Sequence, residues 1–164
     1  MMGPAPVPYW VIRELRMELR QYLKPGMPPG RCRICRRRVK LDKRKLDSIM
    51  ARIICRIFKK AKGRRSRSVD YRDVMERGRM GECAILRHWG LVRPDLTQPS
   101  GHWFLTELGQ DFVRGDVKVP FAIWHWNKKR YGATTRTISL RRALANTFDL
   151  DELLASVPEP SEMD

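Results

Sequence analysis

Two stretches decide the fold: Leu86-Arg87-His88-Trp89-Gly90-Leu91-Val92, and Gly101-His102-Trp103-Phe104-Leu105-Thr106-Glu107-Leu108-Gly109. Cys83, Leu86 and Trp89 recur every third residue, which turns one helical face inward. Gly90 is the residue type that closes a helix in the left-handed conformation, and Leu91-Val92 starts a strand behind it. Residues 94–101 are polar and rich in turn formers, so the chain reverses there. His102-Trp103-Phe104-Leu105 is the returning strand. Thr106 then caps a short helix that contains Leu108 and Phe112.

Working upstream, Asp70 is placed to cap a short helix running to Glu76 and ended by Gly78. A second helix opens at Arg79 or Gly81. Before these lies a longer helix, expected over residues 41–60. At about 100° per residue, Leu46, Met50, Ile53 and Ile57 fall on one flank, and Lys45, Arg52, Arg56 and Lys59 on the neighbouring one. Cys55 falls off the apolar face in this reading. The run Gly63-Arg64-Arg65-Ser66-Arg67-Ser68 has no apolar residue to bury and reads as a mobile basic loop. Further back, Val11, Leu15, Leu19 and Tyr22 mark a helix that stops near Lys24, before Pro25-Gly26 and Pro28-Pro29-Gly30. Downstream, residues 121–127 and 130–138 read as a hairpin turning at Asn127-Lys128-Lys129. Ser139 and Asp149 are caps for two last helices.

Basic helix, two short helices, strand, polar loop, strand is the outline of a winged helix-turn-helix. The "GLV" after the second short helix and the "LTELG" after the loop resemble the corresponding parts of winged domains. A narrower resemblance rests on Cys32-x-x-Cys35, Lys43-Arg44-Lys45-Leu46, residues 86–91, Ser100-Gly101-His102-Trp103, Phe112-Val113-Arg114-Gly115, Val119-Pro120 and Phe148-Asp149. Together these are similar to an uncharacterised phage- and prophage-encoded family with an N-terminal CxxC. That resemblance implies a viral or prophage origin and a bacterial cytoplasm.

The chain's 164 residues fit one globular domain with an appendage, and a hydrophobic fraction of 42% suffices for a core. The formal net charge is +16. Residues 31–67 hold 17 basic side chains against Asp42 and Asp47, while residues 146–164 hold six acidic and no basic ones. Such an imbalance implies an anionic partner, nucleic acid first. The acidic end reads as a solvating tail, or as a segment lying on the basic surface in competition with the ligand. No long apolar run or secretory leader is present, so no membrane is expected, and the four cysteines (Cys32, Cys35, Cys55, Cys83) should be thiols or metal ligands.

Cys32 and Cys35 have the spacing of a zinc knuckle, with Arg36 where knuckles usually place Gly. The pair is an incomplete Zn²⁺ site: further ligands would come from Cys55, Cys83, His88, His102 or a second chain, and the alternative is free thiols. Cationic surroundings would lower the thiol pKa and leave these cysteines reactive. Phosphates would be met by Lys45, Arg52, Arg56, Lys59, Lys60, Arg64, Arg65 and Arg67. In the winged reading residues 79–88 form the recognition helix, whose outward residues are Arg79, Glu82, Ile85, Arg87 and His88, with His102 on the wing. Trp124, Trp126 and Tyr131 alternate with Lys128, Lys129 and Arg130, a mixture able to stack bases, although such a hairpin more often buries its rings. His125 reads as a surface or hydrogen-bonded imidazole. Glu107, Asp111 and Asp116 are scattered, and no nucleophile or phosphate-loop motif occurs, so no enzyme activity is expected.

The expectation is therefore an α+β protein in three parts. Residues 1–39 carry the N-terminal helix, Pro/Gly linker and CxxC knuckle; 40–120 the winged helix-turn-helix with its basic first helix; and 121–164 a β-hairpin and an acidic helical tail. Its expected function is duplex DNA binding in a regulatory or replication-associated phage role. The alternative is a small phage protein that binds and inhibits a host machine such as RNA polymerase, a ribosome or a defence complex. RNA binding through the aromatic hairpin comes third.

Overall fold

Asp47 sets the start of the central helix. Its side chain accepts the Met50 N–H at 2.9 Å and its backbone is extended, so the helix opens at Ser48 and runs to Ala61. Residues 42–45 form a strand instead, which corrects the expected start at residue 41 and moves Lys45 off the helix. The computed structural model describes residues 9–33, 36–75, 81–127, 129–145 and 149–155. It is a mixed α and β chain.

In chain order the elements are α1 (Tyr9–Tyr22), β1 (Gly30–Arg31), β2 (Arg38–Val39), β3 (Asp42–Lys45), α2 (Ser48–Ala61) and β4 (Val69–Asp70). A 3-10 turn (Tyr71–Asp73), α3 (Glu82–Leu86) and a second 3-10 turn (Arg87–Trp89) follow. Next come β5 (Val92–Pro94), β6 (His102–Leu105), α4 (Glu107–Arg114), β7 (Val119–Pro120), β8 (Ala122–Trp126) and β9 (Lys129–Ala133). The described chain ends with β10 (Thr137–Ile138), α5 (Leu140–Leu144) and α6 (Leu150–Ala155). They divide into two compact units, one of residues 1–44 and 123–133 and one of residues 45–122 and 134–164.

The second unit is built around α2, which meets α3, α4, α5, β4 and β6. With neighbours on so many sides, burial spreads around more than half of the helix: Met50, Ala51, Ile53, Ile54, Cys55, Ile57, Phe58 and Ala61 are all buried. Cys55 is therefore a core residue, contrary to its expected position off the apolar face. The strands β4, β6 and β5 lie in that order, antiparallel throughout, with Val69 opposite Trp103 and Val92 opposite Leu105. Cys83, Leu86 and Trp89 point inward as the spacing predicts, and Trp89 Nε1–H donates to the Pro120 carbonyl at 2.7 Å. Gly90 takes the left-handed conformation (φ +78°) that ends the helical segment. Thr106 caps α4 by accepting the Gly109 N–H at 3.0 Å. Gly109 itself is required there: a Cβ would stand 2.2 Å from the Leu91 carbonyl oxygen.

The expected return strand over residues 130–138 is two strands. Thr134 exchanges bonds with Ala122 through both its backbone N–H (2.9 Å) and its hydroxyl (3.0 Å), and the hydroxyl also reaches the Arg136 carbonyl. This side-chain clasp ends β9 and sends Thr137–Ile138 to pair with β7.

In the first unit, β1 and β2 form a short antiparallel pair, with Gly30 opposite Val39. Tyr22 lies against Gly30, where a Cβ would meet its ring at 2.5 Å. The strands β3, β8 and β9 make a three-stranded sheet with β8 in the centre. Among the described residues no helix is long and apolar enough to cross a membrane.

Candidate nucleic-acid interface

The outward side of α2 is cationic. Arg52 and Arg56 are half-buried, and Lys59 and Lys60 are exposed. Arg56 Nη1 donates to the Val74 carbonyl at 3.1 Å, and Lys60 Nζ lies 3.5 Å from Asp73 Oδ2. Arg56, Lys59, Lys60 and Asp73 together line a pocket of about 250 Å³. The following turn continues the charge with exposed Arg64, Arg65 and Arg67, and its base is fixed where Gln110 Nε2 donates to the buried Gly63 carbonyl. Arg65 Nη1 is 3.3 Å from Glu107 Oε2. Exposed pairs of this kind contribute at most about 1 kcal/mol, so a polyanion competes readily for these cations.

Lys45 stands apart on β3, its Nζ 5.9 Å from the Phe121 ring, which also carries the Arg136 guanidinium at 4.7 Å. Arg87 and His88 are half-buried on the 3-10 turn after α3. Arg79 lies outside the described residues, and the helix expected from Asp70 to Glu76 is only a 3-10 turn, Tyr71–Asp73, which ends at Val74. Glu82, expected to point outward, is buried beside Cys83, because α3 is little more than one turn long and its first residues close onto the core.

The loop between β5 and β6 is held by its own polar groups. Asp95, buried at its start, accepts the Thr97 N–H at 2.9 Å and the Thr97 hydroxyl at 2.6 Å. The Thr97 hydroxyl, with its backbone N–H and Ser68, keeps this carboxyl below the usual range. His102 Nδ1 is 3.0 Å from the Pro99 carbonyl, and its Nε2 is 4.0 Å from Asp70 Oδ2. One cation here was not singled out from the sequence: Arg93 lies 4.2 Å from the ring of Phe104, its partner across the strand pair. Period-two alternation places both on one sheet face, and that is the signal that could have found them.

Two backbone bonds close the turn after Cys32. Cys32 N–H donates to the Arg37 carbonyl and Arg36 N–H to the Cys32 carbonyl, both at 2.9 Å, and Arg36 adopts the left-handed φ of +56° that Gly would supply. Cys32 is half-buried, and Cys35 lies outside the described residues. Cys55 and Cys83 are core thiols whose burial pushes each pKa up to about 12. Among the described residues no three His, Cys, Asp or Glu side chains gather as a metal site.

The aromatic hairpin does not bury its rings. Trp124 and Trp126 are half-buried and Tyr131 is 37% exposed, which corrects the expected core placement. Lys43 Nζ lies 5.1 Å from the Trp124 ring, and Trp126 and Tyr131 meet edge to face at 6.4 Å. Lys129 and Arg130 are exposed, and Lys128 lies outside the described residues. Burial lowers the pKa of His125, so its neutral form is favoured. In the acidic C-terminal region, Asp151 makes a two-pronged pair with Arg141 at 2.7 and 3.1 Å.

Comparison with known protein families, curated proteins and solved structures finds no match to this chain.

Proposed function

We propose that the unit of residues 45–122 and 134–164 is a winged helix-turn-helix that binds duplex DNA without reacting with it. The observation carrying this reading is the joint presence of two features. One is the strand order β4–β6–β5 around α2 and α3, with a polar loop joining β5 to β6. The other is the cationic flank of Arg52, Arg56, Lys59 and Lys60, continued by Arg64, Arg65 and Arg67. In this reading α2 and the turn after it hold phosphates, while Arg87 and His88 enter or border the groove. The β5–β6 strand pair carrying Arg93 and His102, with the loop that joins it, fixes the register. A regulatory or replication-associated role in a phage-type setting follows by analogy alone.

Fluorescence anisotropy with a labelled 25-base-pair duplex over a salt series tests it. The combined variant Arg52→Ala, Lys59→Ala, Lys60→Ala should flatten the plot of log affinity against log salt by about 0.9 per lost phosphate contact. Arg56 is left in place because it also holds Val74. An unchanged slope overturns the assignment to α2.

A second reading, a protein that binds and inhibits a host machine, is favoured by one observation: Leu96 in the β5–β6 loop is 90% exposed. A stoichiometric protein partner retained after nuclease treatment, and lost in Leu96→Asp, would favour it over DNA binding.

A further inference from the structure

The first unit carries a surface that the duplex reading does not use. We propose that the sheet β3–β8–β9 binds a single-stranded nucleic acid, stacking unpaired bases on Trp124, Trp126 and Tyr131 and holding the strand's phosphates with Lys43 and Lys129.

The backbone explains why the rings are open. Trp124 is opposite Gly132 and His125 is opposite Arg130, so Tyr131 is the extra residue of a β-bulge. The bulge brings Tyr131 to the same side as Trp126, with ring centroids 6.4 Å apart and planes inclined by 60°. Gly132 puts no side chain of its own over Trp124: an added Cβ would stand 3.8 Å from that ring and 4.0 Å from Pro25 Cγ, so Pro25 borders the platform at this end. Three rings are thus presented along one hairpin, none of them fully buried.

The charge around them fits a polyanion. Of the residues forming the three strands, Asp42 is the single acid, against Lys43, Arg44, Lys45, Lys129 and Arg130. Lys43 sits over the Trp124 ring at 5.1 Å. An exposed cation–π contact of this kind is weaker than stacking of a base on the same ring, so an incoming base displaces the ammonium, which then meets a phosphate. Bases of a duplex already stack on one another and present only their edges, whereas unpaired bases offer their faces. The ring platform therefore selects single strands.

A pocket beside the platform strengthens the assignment. It holds about 320 Å³ and is lined by Arg37, Arg38, Trp126 and Asn127 together with Leu19, Cys32 and Val39. That volume is at the lower end of the range of about 300–1,000 Å³ typical of small-ligand sites. Two guanidinium groups and an indole in one lining suit a single nucleotide, phosphate to the arginines and base to Trp126.

The experiment uses the full chain with labelled dT15 and rU15, which form no duplex, and reads anisotropy and tryptophan quenching. Both should bind, or one preferentially, the preference telling DNA from RNA as the natural strand. Trp126→Ala and Tyr131→Ala should each weaken binding by about 5- to 100-fold, and Trp126→Phe should restore most of it because a ring returns. Affinity for a 25-base-pair duplex should not change in any of these variants. Failure to bind either oligomer, equal affinity of Trp126→Ala and the parent, or loss of duplex and single-strand binding in parallel would each overturn the proposal. So would a nuclease-resistant protein partner captured through Trp126 in the absence of strand binding. The inference stands apart from the winged reading, since duplex affinity can vanish while dT15 binding persists.

Discussion

On β6, Trp103 and Leu105 turn inward and are buried while His102 and Phe104 remain half-exposed; on β8, Trp124 and Trp126 have the same two-residue spacing and both stay half-exposed. Each strand is the centre of a three-stranded antiparallel sheet. What separates them is the covering layer: β6 has α2 packed on it, whereas β8 begins with buried Ala122 and Ile123 and continues into rings flanked by lysines. Alternation therefore marks a strand without saying which of its faces will be covered. The charge of the neighbouring strands carries that information, because Lys43 and Lys129 cannot share a dry layer with the rings.

The sharpest attempt to break this contrast removes one indole from each strand. Trp103→Ala should lose about 3–5 kcal/mol of stability, the usual cost of emptying a buried aromatic site. Trp126→Ala should lose no more than about 1–2 kcal/mol, in proportion to the smaller apolar area it covers. Urea unfolding followed by circular dichroism compares them, and equal losses would mean that the two strands are covered alike.

A second pair asks the same question of glycines. Gly109→Ala forces a Cβ to within 2.2 Å of the Leu91 carbonyl, and backbone cannot step aside as a side-chain tip can. Separation of α4 from β5 should cost about 1–3 kcal/mol. Gly132→Ala places its methyl 3.8 Å from Trp124, an ordinary contact, and should be within about 0.5 kcal/mol of the parent. The midpoints of the same unfolding curves separate the two.

Local signals in the sequence were enough wherever a short side-chain bond decides the structure. Asp70, Thr106 and Asp149 cap where their residue types predict, Gly90 ends its segment, and α1 stops before Pro25. Reading failed where distant residues decide. The run Leu41–Leu46 suits a helix as well as a strand, and the backbone bond from Leu46 N–H to the Phe121 carbonyl ties its end to a segment 75 positions away. Cys55 looked peripheral because a helical wheel shows one apolar flank, whereas α2 has neighbours on several sides. Thr134 divides a strand that residue propensities would continue. For the candidate interface, the basic residues were legible as types; the openness of the aromatic rings was not, since it depends on a bulge and on the absence of a covering layer over β8.

Titration distinguishes the two units again. Cys55 and Cys83 titrate near 9 when unfolded and are pushed up to about 12 in the folded core. Below pH 9 both states hold the proton and no stability depends on it. Between about pH 9 and 12 the unfolded chain loses protons that the folded chain keeps, so stability falls as pH rises, by at most about 1.4 kcal/mol per pH unit for each thiol. Cys83→Ala should have a shallower alkaline slope than the parent, whatever its stability at pH 8. The half-buried Cys32 should be alkylated by iodoacetamide in the native protein, while Cys55 and Cys83 react only on unfolding. Peptide mapping reads this, and labelling of Cys55 or Cys83 at native pH would show the core around α2 to be open.

The smallest expected effect lies at the edge of the β4–β6–β5 sheet. Asp70 accepts three bonds from the Arg72 guanidinium at 2.7–3.1 Å and one from the Arg72 backbone N–H at 2.9 Å. These bonds, with the arginine's charge and a lesser pull from His102, hold its carboxyl at about 2 instead of the usual 3.8. A depressed folded pKa stabilises above the unfolded value and loses that contribution as pH falls from about 4 towards 2. Asp70→Asn keeps a capping side chain but removes the charge, so its stability difference from the parent should be largest at neutral pH and shrink across that acid window. Because the pair is near solvent, 0.5 M salt should shrink the difference as well. A difference constant from pH 7 to 2 would assign the role of Asp70 to the turn it caps and none of it to the ion pair, and the β4–β6–β5 sheet would then owe its edge to hydrogen bonding alone.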